Sequence, residues 1–294
     1  MVQQRKKTPV NSTELHFFIL LCFASDTFSV LQSFIGCSGW SYNSWLSHFY
    51  PANLGSKQWL AYYSKVFDFV EIDSSFYHMP NQFMVNRWAK ATPENFRFTA
   101  KVPQTITHEK RLGDVEGDLE FFHKAIAPLE KKLLCLLLQL PPSLNKEEGL
   151  KKLQGLPVDK RFRYAVEPRH KTWFDEEVYS FLTQNDICLV WSQLAELQTP
   201  PIVTTDFIYL RLIGNRSIDE KDFGTIQKDR EKEMQYWAGQ VNKLKKNKKL
   251  KMVVTAANNH YAGFGPRTAN MFRRMIGLEE ATFRDEKQAT LSDF

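Results

Sequence analysis

Cysteine is scarce: Cys22, Cys37, Cys135 and Cys188 lie far apart in 294 residues, and no two form a CxxC pair. That spacing excludes a disulfide framework and a zinc knuckle, and it suits a reducing cytoplasm. Long apolar runs are missing as well. The stretch Phe17-Phe18-Ile19-Leu20-Leu21-Cys22-Phe23-Ala24 is too short to span a membrane. Behind Arg5-Lys6-Lys7 it imitates a secretory signal, but no disulfide pattern follows it. Residues 1–33 are therefore expected to be a poorly ordered extension. There is also no GxGxxG loop: the nearest approach, Gly36-Cys37-Ser38-Gly39, lacks the spacing that cradles a dinucleotide, which argues against an open doubly wound sheet. No internal repeat longer than a strand–helix unit and no low-complexity linker divides the chain.

What is present is the composition of a soluble globular protein, 43% hydrophobic and 24% charged, with 23 Phe, 10 Tyr and 7 Trp to fill a core or wall a pocket. The formal charge is +6, partly from the lysine-rich run 242–249. Such a run reads as a solvated helix end and loop; the charge permits nucleic-acid binding without specifying it.

From Phe34 onward a short apolar run, a polar turn and an amphipathic stretch recur. Strands are expected at 34–38, 69–73, 96–101, 133–140, 163–167, 187–191, 207–213 and 251–256. Helices are expected at 57–66, 81–90, 119–130, 146–154, 176–185, 230–245 and 268–276, while 192–206 holds a short turn or weak helix. Alternation of this kind implies right-handed βαβ units and a parallel sheet. Eight units in roughly 245 residues predict an α/β fold, a single (β/α)8 TIM barrel over 34–280 with a tail at 281–294.

In such a barrel, chemistry sits where the strands end. Side chains alternate along a strand, so Glu71 and Asp73 face one side and form a pair able to serve as acid and base or to hold a divalent cation. The plainer alternative ties one of them to a lysine or arginine on a neighbouring strand. Lys101 ends the third strand, and His108 lies in its loop. Gln139 ends the fourth, before Pro141-Pro142. Glu167-Pro168-Arg169-His170 ends the fifth, with Glu167 and Arg169 placed to pair and His170 left as a proton carrier; Trp173 follows. In the seventh, Tyr209 and Arg211 alternate inward, and a buried guanidinium must find a carboxylate or an anionic ligand. Asn258 and Asn259 follow the eighth strand. The first loop brings Trp40 and Tyr42, either as an apolar plug or as a stacking wall, with Tyr77 beyond the second strand.

The same residues carry a family resemblance. Gly36-Cys37-Ser38-Gly39-Trp40-Ser41-Tyr42, Phe49-Tyr50-Pro51, Val70-Glu71-Ile72-Asp73-Ser74-Ser75-Phe76-Tyr77, Gln139-Leu140-Pro141-Pro142, Glu167-Pro168-Arg169-His170, Tyr209-Leu210-Arg211-Leu212-Ile213-Gly214 and Asn258-Asn259 resemble the YecE-like family, domain of unknown function 72. The resemblance implies a TIM barrel similar in outline to xylose-isomerase and endonuclease IV-like barrels, without a settled activity. Two positions depart from the family pattern: Ile213 stands where a His is usual, and Ala257 where an aromatic is usual.

The resulting expectation is an enzyme acting on a phosphate-bearing or polyhydroxylated substrate by hydrolase-like acid–base chemistry. Glu71, Glu167, His108 and His170 are its candidate catalytic groups. Trp40, Tyr42, Asp73, Tyr77, Lys101, Gln139, Arg169, Trp173, Arg211, Asn258 and Asn259 are its candidate binding groups. The chain offers too few inward histidines for a three-metal centre, so one divalent metal or none is expected. The alternative is a non-catalytic nucleic-acid binder with a basic, aromatic face.

Overall fold

The structure, a computed structural model, describes residues 31–283. The signal-like run, Cys22 and the end of the expected tail lie outside the described residues.

Nine parallel strands form one sheet in the order β6-β5-β4-β3-β2-β1-β9-β8-β7. They are β1 (Gln32–Ser38), β2 (Phe69–Ile72), β3 (Arg97–Lys101), β4 (Leu133–Gln139), β5 (Tyr164–Glu167), β6 (Ile187–Leu189), β7 (Trp191–Leu194), β8 (Phe207–Gly214) and β9 (Met252–Ala257). The two edge strands, β6 and β7, are consecutive in the chain and separated by Val190 alone, so the sheet curls into a nearly closed barrel. β4, with the sequence LLCLLLQ, shows why. A strand covered on both faces needs an almost continuous apolar run, and six of its seven residues are buried.

Alternation divides the strand residues between two cores. Phe34, Phe69, Cys135, Leu137, Ala165, Cys188, Val190, Phe207, Tyr209, Val254 and Ala256 fill the lumen, while their neighbours, such as Ile35, Val70, Leu136, Val166 and Leu210, pack outward on the helices. The described cysteines, Cys37, Cys135 and Cys188, are buried free thiols that pack as small hydrophobes. At the N-terminal end of the strands, Arg163 and Lys251 both pair with Asp206, and the Arg163 guanidinium lies 4.5 Å from the Phe207 ring centre, which plugs that end.

The principal outer helices are α1 (Trp59–Val66), α2 (Ser74–Tyr77), α3 (Gln82–Ala91), α4 (Glu116–Ile126), α5 (Lys146–Gln154), α6 (Glu176–Gln184), α7 (Glu231–Leu244), α8 (Asn259–Ala262) and α9 (Gly265–Met275). Asn81, Asn145 and Asp175 cap α3, α5 and α6 by accepting hydrogen bonds from the backbone N–H groups of Met84, Glu148 and Val178. Residues 192–206 contain strand β7 and no helix, so strand–helix alternation lapses where it was expected to be weakest. Ala281 exchanges hydrogen bonds with Asn270, and Phe283 packs on Phe49, so the described end of the chain is docked on the barrel. Among the described residues no helix is long and apolar enough to cross a membrane.

Candidate active site

A cavity of about 640 Å³ opens at the C-terminal ends of the strands. At and beneath its floor lies a layer of buried charge. Arg211, 2% exposed, donates through Nε and Nη2 to the two carboxylate oxygens of Glu71, both at 2.7 Å, and through Nη1 to Glu167. Glu71 also accepts from Ser38 Oγ at 2.5 Å and from the Tyr209 hydroxyl. Glu167 accepts from Ser192 Oγ at 2.6 Å and pairs with Arg169 Nη2 at 3.0 Å. Four donors thus converge on Glu71 and three on Glu167, and neither carboxylate is exposed at all.

Burial alone would push both acids up. The charge of Arg211, aided by Lys101 and Ser38, outweighs it at Glu71 and holds that carboxyl below its ordinary range. Arg169 and Arg211 with Ser192 take Glu167 down to about 2. The same carboxylates overcome burial at Arg211 and raise it. These are permanently ionised groups whose desolvation is offset by near-complete pairing.

Above this floor the wall is under-paired. Lys101 is 4% exposed; its Nζ lies 4.2 Å from the Phe76 ring centre, and it forms no salt bridge among the described residues. Burial, reinforced by the charge of Arg211, lowers it to about 8 despite Glu71, Glu167 and Asp73. Asp73, half-buried, is raised by burial and by the Glu71 charge, with Lys101 opposing. Gly39 makes its place: φ is +81°, and a Cβ there would come within 2.6 Å of the Tyr42 hydroxyl and 3.0 Å of the Asp73 carboxylate. His108, on a π-helical turn at Thr105–Glu109, is lowered to about 4, first by burial and then by Lys101 and Arg169. Its Nδ1 lies 2.9 Å from Thr107 Oγ1. Arg169 lines the cavity, and its buried Nε finds no acceptor among the described residues.

The expected site residues therefore separate. Tyr42, Asp73, Tyr77, Lys101, His108, Gln139, Arg169, Arg211 and Asn258 line the cavity. Glu71 and Glu167 lie under it, and the arginine that pairs with Glu71 comes from β8 across the barrel, not from a strand neighbouring β2. Four residues take structural posts away from the lining. His170 Nδ1 accepts from the backbone N–H of Thr172. Trp173 is fully buried, its Nε1 donating to the Leu144 carbonyl. Asn259 accepts from Trp45 Nε1 and from the Gly265 N–H. Trp40 meets the edge of Trp88. From the first loop, Trp45, Phe49 and Tyr50 form an apolar plug, and Tyr42 alone of those rings reaches the cavity wall.

Other participants were not foreseen. Ser38 and Ser192 share the inward parity of their strands and could have been found by extending it one step. Arg216, Glu220, Phe223 and His260 come from loops and from α8, where strand periodicity gives no guidance. His260 packs on Phe223, with burial and Arg216 lowering its pKa. Ile213 also lines the cavity, one of its apolar residues with Phe76, Pro142 and Phe223.

A divalent metal finds no fit. The oxygens of Glu71 and Glu167 already face arginine and hydroxyl donors, and among the described residues no three His, Cys, Asp or Glu side chains stand together to hold an ion.

Residues 34–291 match the family described as Protein of unknown function DUF72. The UPF0759 protein YecE of Escherichia coli (strain K12) is 31% identical over 144 residues, 48% of this chain and 50% of that protein. YunF of Bacillus subtilis (strain 168), also a UPF0759 protein, is 30% identical over 155 residues, 50% of this chain and 54% of that one. The chain thus spans about half the length of the curated relatives it matches. Among solved structures, a DUF72 family protein from Thermotoga maritima MSB8 aligns with a TM-score of 0.69 and 30% identity, over 83% of this chain and 99% of that one. One from Enterococcus faecalis V583, 23% identical with a TM-score of 0.67 over 84% of this chain and 96% of that one, shares the fold. The chain belongs to the DUF72 family of proteins of unknown function.

Proposed function

We propose that the cavity is the active site of an enzyme acting on a small, phosphate-bearing, hydroxylated substrate by acid–base chemistry. The observation that carries this reading is the uneven pairing of charge. Beside the fully paired Arg211, three cationic side chains line the cavity, Lys101, Arg169 and Arg216, against two acidic ones, Asp73 and Glu220. Buried cations without full pairing favour an anionic ligand. Arg169, through its unsatisfied Nε, and Arg216 would take the anion. Lys101, Asp73 and His108 are the groups whose proton affinities are moved toward exchange near neutral pH or held in the neutral form. Glu71 and Glu167 hold Arg211 in place and take no proton in this reading.

The barrel is read as a single (β/α)8 barrel in which β6 and β7 are halves of its sixth strand. Inward parity passes unbroken through Cys188, Val190 and Ser192, with β5 bonded to one half and β8 to the other. The buried free thiols support a cytoplasmic setting.

Thermal shift against a panel of sugar phosphates, hydroxy acids and inorganic phosphate tests the function. A phosphorylated polyol should raise the melting temperature of the wild type, and Arg169→Gln should lose at least tenfold in affinity. If no small anion binds while single-stranded DNA does, with strong salt dependence, the protein is a nucleic-acid binder instead.

A further inference from the structure

We propose that Lys101 is an imine-forming lysine, whose Nζ condenses with the carbonyl group of a phosphate-bearing aldehyde or ketone held in the cavity. This rests on the reading of the cavity as an active site and names the substrate class more narrowly.

An amine must shed its proton to attack a carbonyl, and a lysine in a salt bridge resists doing so. The barrel removes that obstacle by construction. The two buried carboxylates nearest the floor, Glu71 and Glu167, are both engaged by Arg211, and Glu167 by Arg169 as well. Lys101 is left resting against the Phe76 ring, an aromatic face that holds an ammonium more weakly than a carboxylate does. Burial and the positive charge of Arg211 both favour its neutral form, so at pH 7 about a tenth of the lysines carry a free lone pair, given a value of about 8.

The condensation balances with groups already in the wall. The ammonium first yields a proton to solvent. The Nζ lone pair then forms a C–N bond as the carbonyl π pair moves onto oxygen, and the nitrogen passes one of its two protons to that oxygen, giving a neutral carbinolamine. The C–O bond breaks and the oxygen departs as water, protonated by the Asp73 carboxyl, whose raised proton affinity suits it to donate. An iminium remains on Lys101, and no electrons are transferred to or from a co-reactant. Arg169 and Arg216 face the same cavity and are placed to take the phosphate.

Pyridoxal 5′-phosphate, which carries an aldehyde and a phosphate on one small ring, serves as the probe, with sodium borohydride to fix any imine as a secondary amine. At pH 7.5 and limiting probe, peptide mapping of the wild-type protein should find Lys101 modified at least tenfold ahead of surface lysines such as Lys57 and Lys124. Inorganic phosphate should slow that reaction, and Lys101→Met should abolish the preferred adduct while exposed lysines react as before. Adducts spread over exposed lysines with Lys101 unmodified overturn the proposal. If small phosphates still raise the melting temperature in that case, the active-site reading stands without the imine; if they do not, both fall.

Discussion

Two layers of charge lie one above the other at the mouth of this barrel, and they are built on opposite terms. The lower layer, Glu71, Arg211 and Glu167 with Ser38, Tyr209, Ser192 and Arg169, satisfies nearly every charged atom it buries. The upper layer, Lys101, Asp73, His108 and the free edge of Arg169, leaves Lys101 without a salt bridge and Arg169 Nε without an acceptor among the described residues. A completed network fixes geometry and ionisation, whereas an incomplete one keeps proton affinities displaced and awaits a ligand. Arg211 connects the two: by holding both carboxylates it deprives Lys101 of the partner that would otherwise quench it.

The sharpest way to break this comparison is to remove one cation from each layer. Arg211→Met leaves two buried carboxylates without their main partner and should cost about 3–5 kcal/mol in urea unfolding. Lys101→Met removes a buried charge that has no salt-bridge partner among the described residues, and should leave stability at pH 7 unchanged or raise it by up to about 3 kcal/mol. Equal losses in the two variants would mean that Lys101 belongs to the lower layer.

Stability against pH separates the layers next. Glu167 is depressed to about 2 from an ordinary 4.5, so the unfolded chain binds the extra proton between those values. Its contribution is complete above about pH 5 and is lost as pH falls toward 2. Lys101 is depressed to about 8 from 10.5, so the unfolded chain again binds more protons in between. Stability contributed at this position therefore rises as pH climbs from 8 to 10.5, by an amount on the order of 3 kcal/mol. In denaturation series from pH 2 to 11, the acid limb should appear directly and the alkaline one as a rise of the wild type relative to Lys101→Met, since the buried cysteines and tyrosines, raised by burial, lower the stability of both proteins above about pH 9. Lys101→Met should lose the alkaline rise and keep the acid fall.

Within the upper layer, Asp73→Asn should slow adduct formation at Lys101 by about a hundredfold, the usual cost of losing a positioned proton donor, while leaving urea unfolding within about 0.5 kcal/mol. The smallest effects distinguish two histidines. His170→Ala removes a cap and should cost about 1 kcal/mol or less without altering ligand affinity. His108→Ala should do the reverse, sparing stability and weakening the binding of a phosphate-bearing ligand several-fold.

Much of the fold was legible because one rule dominates it: two-sided burial makes strands such as β4 continuously apolar, and helices between them follow a 3.6-residue period. Period-2 parity also placed Glu71 with Asp73, Glu167 with Arg169, and Arg211 inward, all of which meet at one end of the lumen. What parity could not supply was depth. Two positions separate a carboxylate under the floor, Glu71 on β2, from one in the wall, Asp73 just past the strand end, and the pattern is identical for both. His170 read as a proton carrier and Asn259 as a binding group for a related reason, since a polar residue just past a strand end serves a turn as readily as a ligand. His260 and Arg216 escaped because short helical turns and loops bring them back over the barrel.

The central claim, that Lys101 is kept free of a carboxylate and therefore exchanges its proton near neutrality, is tested most directly by NMR titration of lysines carrying carbon-13 at the ε position. One resonance, absent from the spectrum of Lys101→Met, should titrate with a midpoint near 8. If every lysine resonance instead moves above pH 10, Lys101 is a paired cation like Arg211, and the division into two layers is contradicted.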